Sequence, residues 1–264
     1  MQSIDLFKTI DELIPKELAL PQDKIGYFGI NYKNTEISKI KIMLDILPED
    51  DIKSQENELI ITHYPPTFTP KTSTYVINTN WDIIDGGSSD ALAQTLNLDV
   101  LSQLDKNTKI GRICAYYKTL DNFLLDISDI FGKENIRIAN KKDSKRKINK
   151  VAILPGSGLS NKKYIKIAKE MGADVFLSGD LSHNSLILAQ KFDITLIDIP
   201  NYYTQLPGLY VLADLLSGIG IPIEVVDKGI SLDYFWKSYF LYYFFYYFIG
   251  FCITLIRFIC YIFL

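Results

Sequence analysis

Two short stretches carry the residues with the most chemistry to offer. One is Ile61-Thr62-His63-Tyr64-Pro65-Pro66 and the other is Asn78-Thr79-Asn80-Trp81-Asp82. His63 is one of only two histidines in the 264 residues, and it directly follows the apolar run Leu59-Ile60-Ile61. An apolar run of that length reads as a buried strand, and so does Tyr75-Val76-Ile77 ahead of Asp82. Loops that follow strands in α/β proteins gather at one end of a sheet. An imidazole and a carboxylate delivered there make half of a metal site. Each also has a plainer reading, as a hydrogen-bonded histidine at a strand end and an aspartate that caps a helix.

Two further turns sit between a strand and a helix. Pro155-Gly156-Ser157-Gly158 has amides that could cradle a phosphate, but it lacks the lysine of a P-loop and the third glycine of a dinucleotide fingerprint, so a tight structural turn is the stronger reading. In Ser178-Gly179-Asp180-Leu181-Ser182-His183 the acid and the imidazole are three residues apart. That spacing puts both on one helix face if the helix has begun, and suits a cap otherwise.

The elements that must hold these residues follow an alternating rhythm. Helical spacing covers Ile4 to Ile14, with Ser3 as the expected N-cap and Pro15 as the stop. Strands are expected at 25–30, 37–47, 58–61, 75–77, 110–117, 135–139, 151–154, 174–177, 194–198 and 222–226. Helices are expected at 91–96 behind a serine cap, 120–131, 160–171, 182–191 and 208–216. The class is α/β with substantial parallel pairing in its sheets, and no repeat of fixed period stands out.

Composition narrows the partners. A net charge of −3 argues against nucleic acid as the main partner. The basic run Lys141 to Lys147 stands out locally, and a solvated linker or hairpin tip competes there with a phosphate patch. Three cysteines without CxxC spacing point to a reducing, cytoplasmic body, and the first residues do not read as a signal peptide. Residues 229–264 form an apolar tail. Its segment 238–256 carries no charge and is long enough to span a membrane as a helix, although its Tyr and Phe content suits an interface better than a span. The expectations are a membrane anchor or an out-of-frame extension.

Taken in order and spacing, these motifs resemble those of the Nif-three-like family, also called GTP cyclohydrolase 1 type 2 homologues or dinuclear-metal-centre hexameric proteins. Thr62-His63-Tyr64-Pro65 is similar to its His-His-Pro signature. Asn78 to Asp82, with Gly86-Gly87-Ser88-Ser89-Asp90 behind it, is similar to its His-Thr-Asn-x-Asp signature. Pro155 to Gly158 and Ser178 to Asn184 match its later turns, and the resemblance spans about residues 3–226.

The resemblance implies two related α/β halves, at about 1–140 and 150–228, with mixed, partly parallel sheets around a central cleft that holds two divalent metal ions, together with a small-molecule substrate and a homohexamer. Transferred residue by residue, its ligand positions fall on His63, Tyr64, Asp82, Asn201 and Gln205, so two histidines and a glutamate are replaced. One ion at His63 and Asp82, helped by amide oxygens of Asn201 or Gln205, or none, is then expected. Two functions follow. The first is a metal-dependent hydrolase acting on a small, nucleotide-like substrate, with Tyr64, Asp85 or Asp180 moving protons. The second is a noncatalytic, ring-forming scaffold or binding protein that kept the cleft and is tethered to a membrane by its tail.

Overall fold

A computed structural model describes residues 1–29, 34–54 and 57–228. All of these lie in one compact unit, Met1–Lys228. The expected membrane segment 238–256 lies outside the described residues. Among the described residues no helix is long and apolar enough to cross a membrane.

The chain opens with α1 (Ser3–Leu13), β1 (Gly26–Phe28), β2 (Lys39–Met43), α2 (Pro48–Lys53), β3 (Glu58–Thr62) and β4 (Thr74–Val76). Two short helices follow, α3 (Thr79–Ile83) and α4 (Ser88–Thr95), and then β5 (Asp99–Gln103), β6 (Arg112–Ala115), α5 (Leu120–Phe131) and β7 (Arg137–Ala139). The remainder is β8 (Lys150–Ile153), α6 (Lys162–Glu170), β9 (Val175–Ser178), α7 (His183–Lys191), β10 (Thr195–Asp198), α8 (Asn201–Leu216) and β11 (Ile223–Val225).

These strands form two mixed sheets. The first has the order β1-β4-β3-β2-β11, with β1 antiparallel and the rest parallel. The second has the order β5-β6-β8-β9-β10-β7, parallel only across β8, β9 and β10. β3 is buried along its whole length, as an apolar run covered on both faces must be. Apolar clusters fill the layers: α1 and α8 pack on the first sheet, α4 and α5 on one face of the second, and α6 and α7 on the other, with a smaller cluster at Met43, Ile46 and Ile60.

The halves do not divide at the basic run. The first sheet takes strands from residues 26–76 and then recovers β11 from the end of the domain, while the second takes residues 99–198. A parallel strand added from a distant segment leaves no local mark in a sequence. Other boundaries also move. The residue ahead of α1 is Gln2, and the Ser3 hydroxyl instead bonds Asn34 Oδ1 at 3.3 Å. α4 starts at Ser88 behind Gly87, with no side-chain cap. α2, α3 and β5 are too short or too polar for periodicity to reveal them. α8 begins seven residues earlier than expected because Pro207 is accommodated inside it.

α8 binds the two sheets together. Leu209, Leu212 and Leu216 belong to the first sheet's core, and the Trp81 indole donates to the Gly208 carbonyl at 3.1 Å. Helices α4 and α8 cross closely here: a Cβ built on Gly208 would lie 2.4 Å from Ser88 Oγ and 2.9 Å from Ser88 Cα. Within a helix Ala is intrinsically better than Gly by about 1 kcal/mol, so the two effects oppose each other. Crowding against backbone wins, because overpacking costs about 1–3 kcal/mol. Gly208→Ala is expected to lower the urea unfolding midpoint, whereas Gly218→Ala, which meets nothing within 4 Å, is not.

Candidate functional site

β3 and α3 deliver the first pair of residues. Beyond β3 the backbone continues to pair with the β2 side, the His63 amide donating to the Met43 carbonyl at 3.3 Å and the Tyr64 amide to Leu44 at 3.1 Å. His63 is thereby fixed at the carboxyl end of a central strand. Asp82 arrives on α3 instead of at the strand end itself. That helix is clamped to the N-terminal segment, since the Thr79 hydroxyl bonds the Asp23 carboxylate and receives the Leu20 amide at 2.9 Å, and the Asn80 amide reaches the Ile14 carbonyl at 3.3 Å.

The first turn of α8 supplies the other half. His63 Nε2 and Asp82 Oδ2 are 3.6 Å apart, and the Gln205 side-chain amide sits against both. Its Nε2 lies 3.1 Å from His63 Nε2 and donates to Asp82 Oδ1 at 3.4 Å. With the Gln205 amide in this orientation its Nε2 donates, so His63 Nε2 is the acceptor and the tautomer follows the amide's orientation. The Tyr64 hydroxyl donates to Asn201 Oδ1 at 3.1 Å, with its ring edge-on to His63 at 4.6 Å. His63, Asp82 and Gln205 are all nearly inaccessible to solvent.

Gly156 closes the cluster from the second sheet. It has φ +84°, and a Cβ there would stand 2.9 Å from the Tyr64 hydroxyl and 3.0 Å from Gln205 Nε2. Its amide donates to Thr204 Oγ1 at 2.8 Å, and the Gly158 amide donates to Ser178 Oγ at 2.9 Å. These amides are committed to the protein, so the turn is structural and does not form a phosphate cradle. Gly156 lies in a turn that the sequence marks, whereas its partner Thr204 on α8 carries no sequence signal of its own.

The candidate proton carriers fare differently. Tyr64 is in the cluster, and burial pushes its hydroxyl pKa above the usual range. Asp85 is exposed in the turn after α3, and Asp180 is exposed at φ +63° after β9. Neither bonds His63 or Asp82. His183 is exposed at the start of α7, where Ser182 is the cap, so the Asp180 and His183 pair forms no centre.

Burial also sets the charge state of the core pair. It pushes the His63 imidazole down to about 4, against the pull of Asp45 and Asp23. It pushes the Asp82 carboxyl up to about 7, outweighing the hydrogen bond from Gln205. Both groups are thus held neutral over the mildly acidic range.

Two divalent transition metals do not fit these residues. Such ions require several anionic or imidazole donors. Here the two strong donors, His63 Nε2 and Asp82 Oδ1, both face the amide of Gln205. Among the described residues no three His, Cys, Asp or Glu side chains converge.

The opposed pKa shifts predict a compensation in stability. A buried neutral His63 contributes stability above pH 6.5 that is lost as pH falls toward 4, while a protonated Asp82 contributes stability below about 4 that is lost as pH rises toward 7. From about pH 4 to 6.5 the two slopes cancel. Chemical denaturation across that window should show Asp82→Asn gaining stability with rising pH relative to wild type, and His63→Gln losing it, each by up to about 1.4 kcal/mol per pH unit.

The arrangement has relatives. A family model described as Duf34/NIF3 (NGG1p interacting factor 3) matches residues 71–228. A GTP cyclohydrolase 1 type 2 homolog from Methanothermobacter thermautotrophicus is 36% identical over 234 residues, covering 89% of this chain and 94% of that protein. One from Methanocaldococcus jannaschii is 30% identical, covering 89% of this chain and all of the relative. Among solved structures, reduced HcgD from Methanocaldococcus jannaschii superposes with a TM-score of 0.75 at 28% identity, covering 86% of this chain and 98% of that one. With motif order, two mixed sheets and these matches in agreement, the chain belongs to the Duf34/NIF3 family.

Proposed function

We propose that this chain is a noncatalytic binding or scaffold member of its family, one that keeps the cleft and has given up the pair of metal ions. The observation that carries this reading is the Gln205 amide, which offers N–H groups to His63 and Asp82 where an ion would need lone pairs. A glutamate at that position would supply negative charge to balance a dication, and an amide cannot. Paired off with Asn201, Tyr64 adds no ligand either. The cytoplasmic location and the homohexamer expected from the resemblance are part of the same proposal.

One observation favours a second reading. Gln205 Oε1 is buried without a hydrogen-bond partner, as is His63 Nδ1. Turning the amide over would present that oxygen to the space between His63 and Asp82, which would then hold a single hard cation. On that reading the protein is a metal-dependent hydrolase of a small, nucleotide-like substrate, in keeping with the names of its relatives.

Elemental analysis of purified protein after exposure to Zn²⁺ and Mn²⁺ separates the two. Wild type is expected to retain well under one ion per chain, and Gln205→Glu, which restores the carboxylate, is expected to retain more. A stoichiometric ion in wild type, lost in His63→Ala and Asp82→Ala, together with hydrolysis of GTP, would establish the second reading instead.

A further inference from the structure

The outer edge of the second sheet has an apolar groove beside a free strand. β7 has one neighbour, β10, so its other edge is unpaired. Ile136 and Ile138 share one face of that strand, while Arg137 on the opposite face reaches the buried Asp198 carboxylate. Alongside runs α5, whose Leu124 and Leu125 complete a groove of about 470 Å³ with the two isoleucines. Leu125 is 58% exposed. Lys133 and Lys141 stand at the two ends of the strand, and neither has an ion-pair partner among the described residues.

The geometry points to a docking site for an extended peptide of a partner protein, apolar at alternate positions and acidic at both ends, that joins the sheet as a strand beside β7. An unpaired edge supplies main-chain hydrogen bonds, and an adjoining apolar groove takes every second side chain. Charge defines the rest of the ligand. From Lys133 to Lys147 there are seven basic residues against two acidic ones, in a chain whose net charge is −3. The one acid lining the groove, Asp121, is already engaged by the Ser144 hydroxyl at 2.9 Å.

The same features weigh against other occupants. A second copy pairing antiparallel through β7 would bring Lys133 of each chain against Lys141 of the other, and like charges directly opposite are destabilising. Single-stranded nucleic acid needs aromatic faces on which bases stack, and the groove is lined by aliphatic side chains.

The test is fluorescence anisotropy on the full chain with a fluorescein-labelled peptide of about ten residues, alternating valine and serine, with glutamates at both ends. Wild type should bind it, and a twin with lysines at the ends should bind at least tenfold more weakly. Leu125→Asp should weaken binding at least tenfold. Lys133→Glu combined with Lys141→Glu should do the same at low salt, with the loss shrinking as salt rises. All three positions are exposed, and circular dichroism confirms the fold of each variant. The proposal is overturned by no binding up to about 1 mM, by equal binding of the lysine-ended twin, or by oligothymidine displacing the peptide. A fall in molar mass with Leu125→Asp in light scattering would also overturn it, because it assigns the groove to a second copy.

Discussion

The structure of the cleft depends on one constraint: a buried histidine and a buried carboxylate 3.6 Å apart must be satisfied without water. Leaving either polar group unmet in that setting would cost about 1–3 kcal/mol or more. A single amide answers most of the need, because Gln205 meets His63 and Asp82 together. The surroundings follow from fixing that amide. The first turn of α8 must lie against the end of β3, α3 must be clamped by Thr79 and Asn80, and only a glycine fits at position 156 above the cluster.

That arrangement also accounts for the electrostatics. With an ion present, the carboxylate would stay ionised and the imidazole would give its lone pair to the metal. Among the protein's own groups burial is the largest influence, and it drives Asp82 up to about 7 and His63 down to about 4. Three changes of side chain, at positions 64, 201 and 205, thus work together. Tyr64 bonds Asn201, and the Gln205 amide meets His63 Nε2 and Asp82 Oδ1, while His63 Nδ1 and Gln205 Oε1 stay without partners.

Much of this was legible before any coordinates. The family resemblance, transferred residue by residue, pointed to residues 63, 64, 82, 201 and 205, and the structure brings all five together. The α/β class and most strand positions were readable from apolar runs such as Leu59-Ile60-Ile61. What could not be read was long-range geometry. No local pattern shows that β11 returns to the first sheet, or that Asp82 lies on a five-residue helix held by Asn80. At 155–158 and 178–183 the plainer readings, a structural turn and a helix cap, are the ones found, with the Gly156 and Gly158 amides committed to Thr204 and Ser178 and with Ser182 as the cap. Nor does residue type reveal that the Gln205 amide lies against both His63 and Asp82, which requires the distances to its two partners.

The most direct measurement of the central claim is nitrogen-15 NMR of the His63 ring. The account predicts a neutral imidazole near pH 6, protonated at Nδ1 and accepting at Nε2, with resonances unmoved by added Zn²⁺ and unbroadened by Mn²⁺. A metal-dependent shift or broadening at Nε2 would contradict it and return His63 to the role of a ligand.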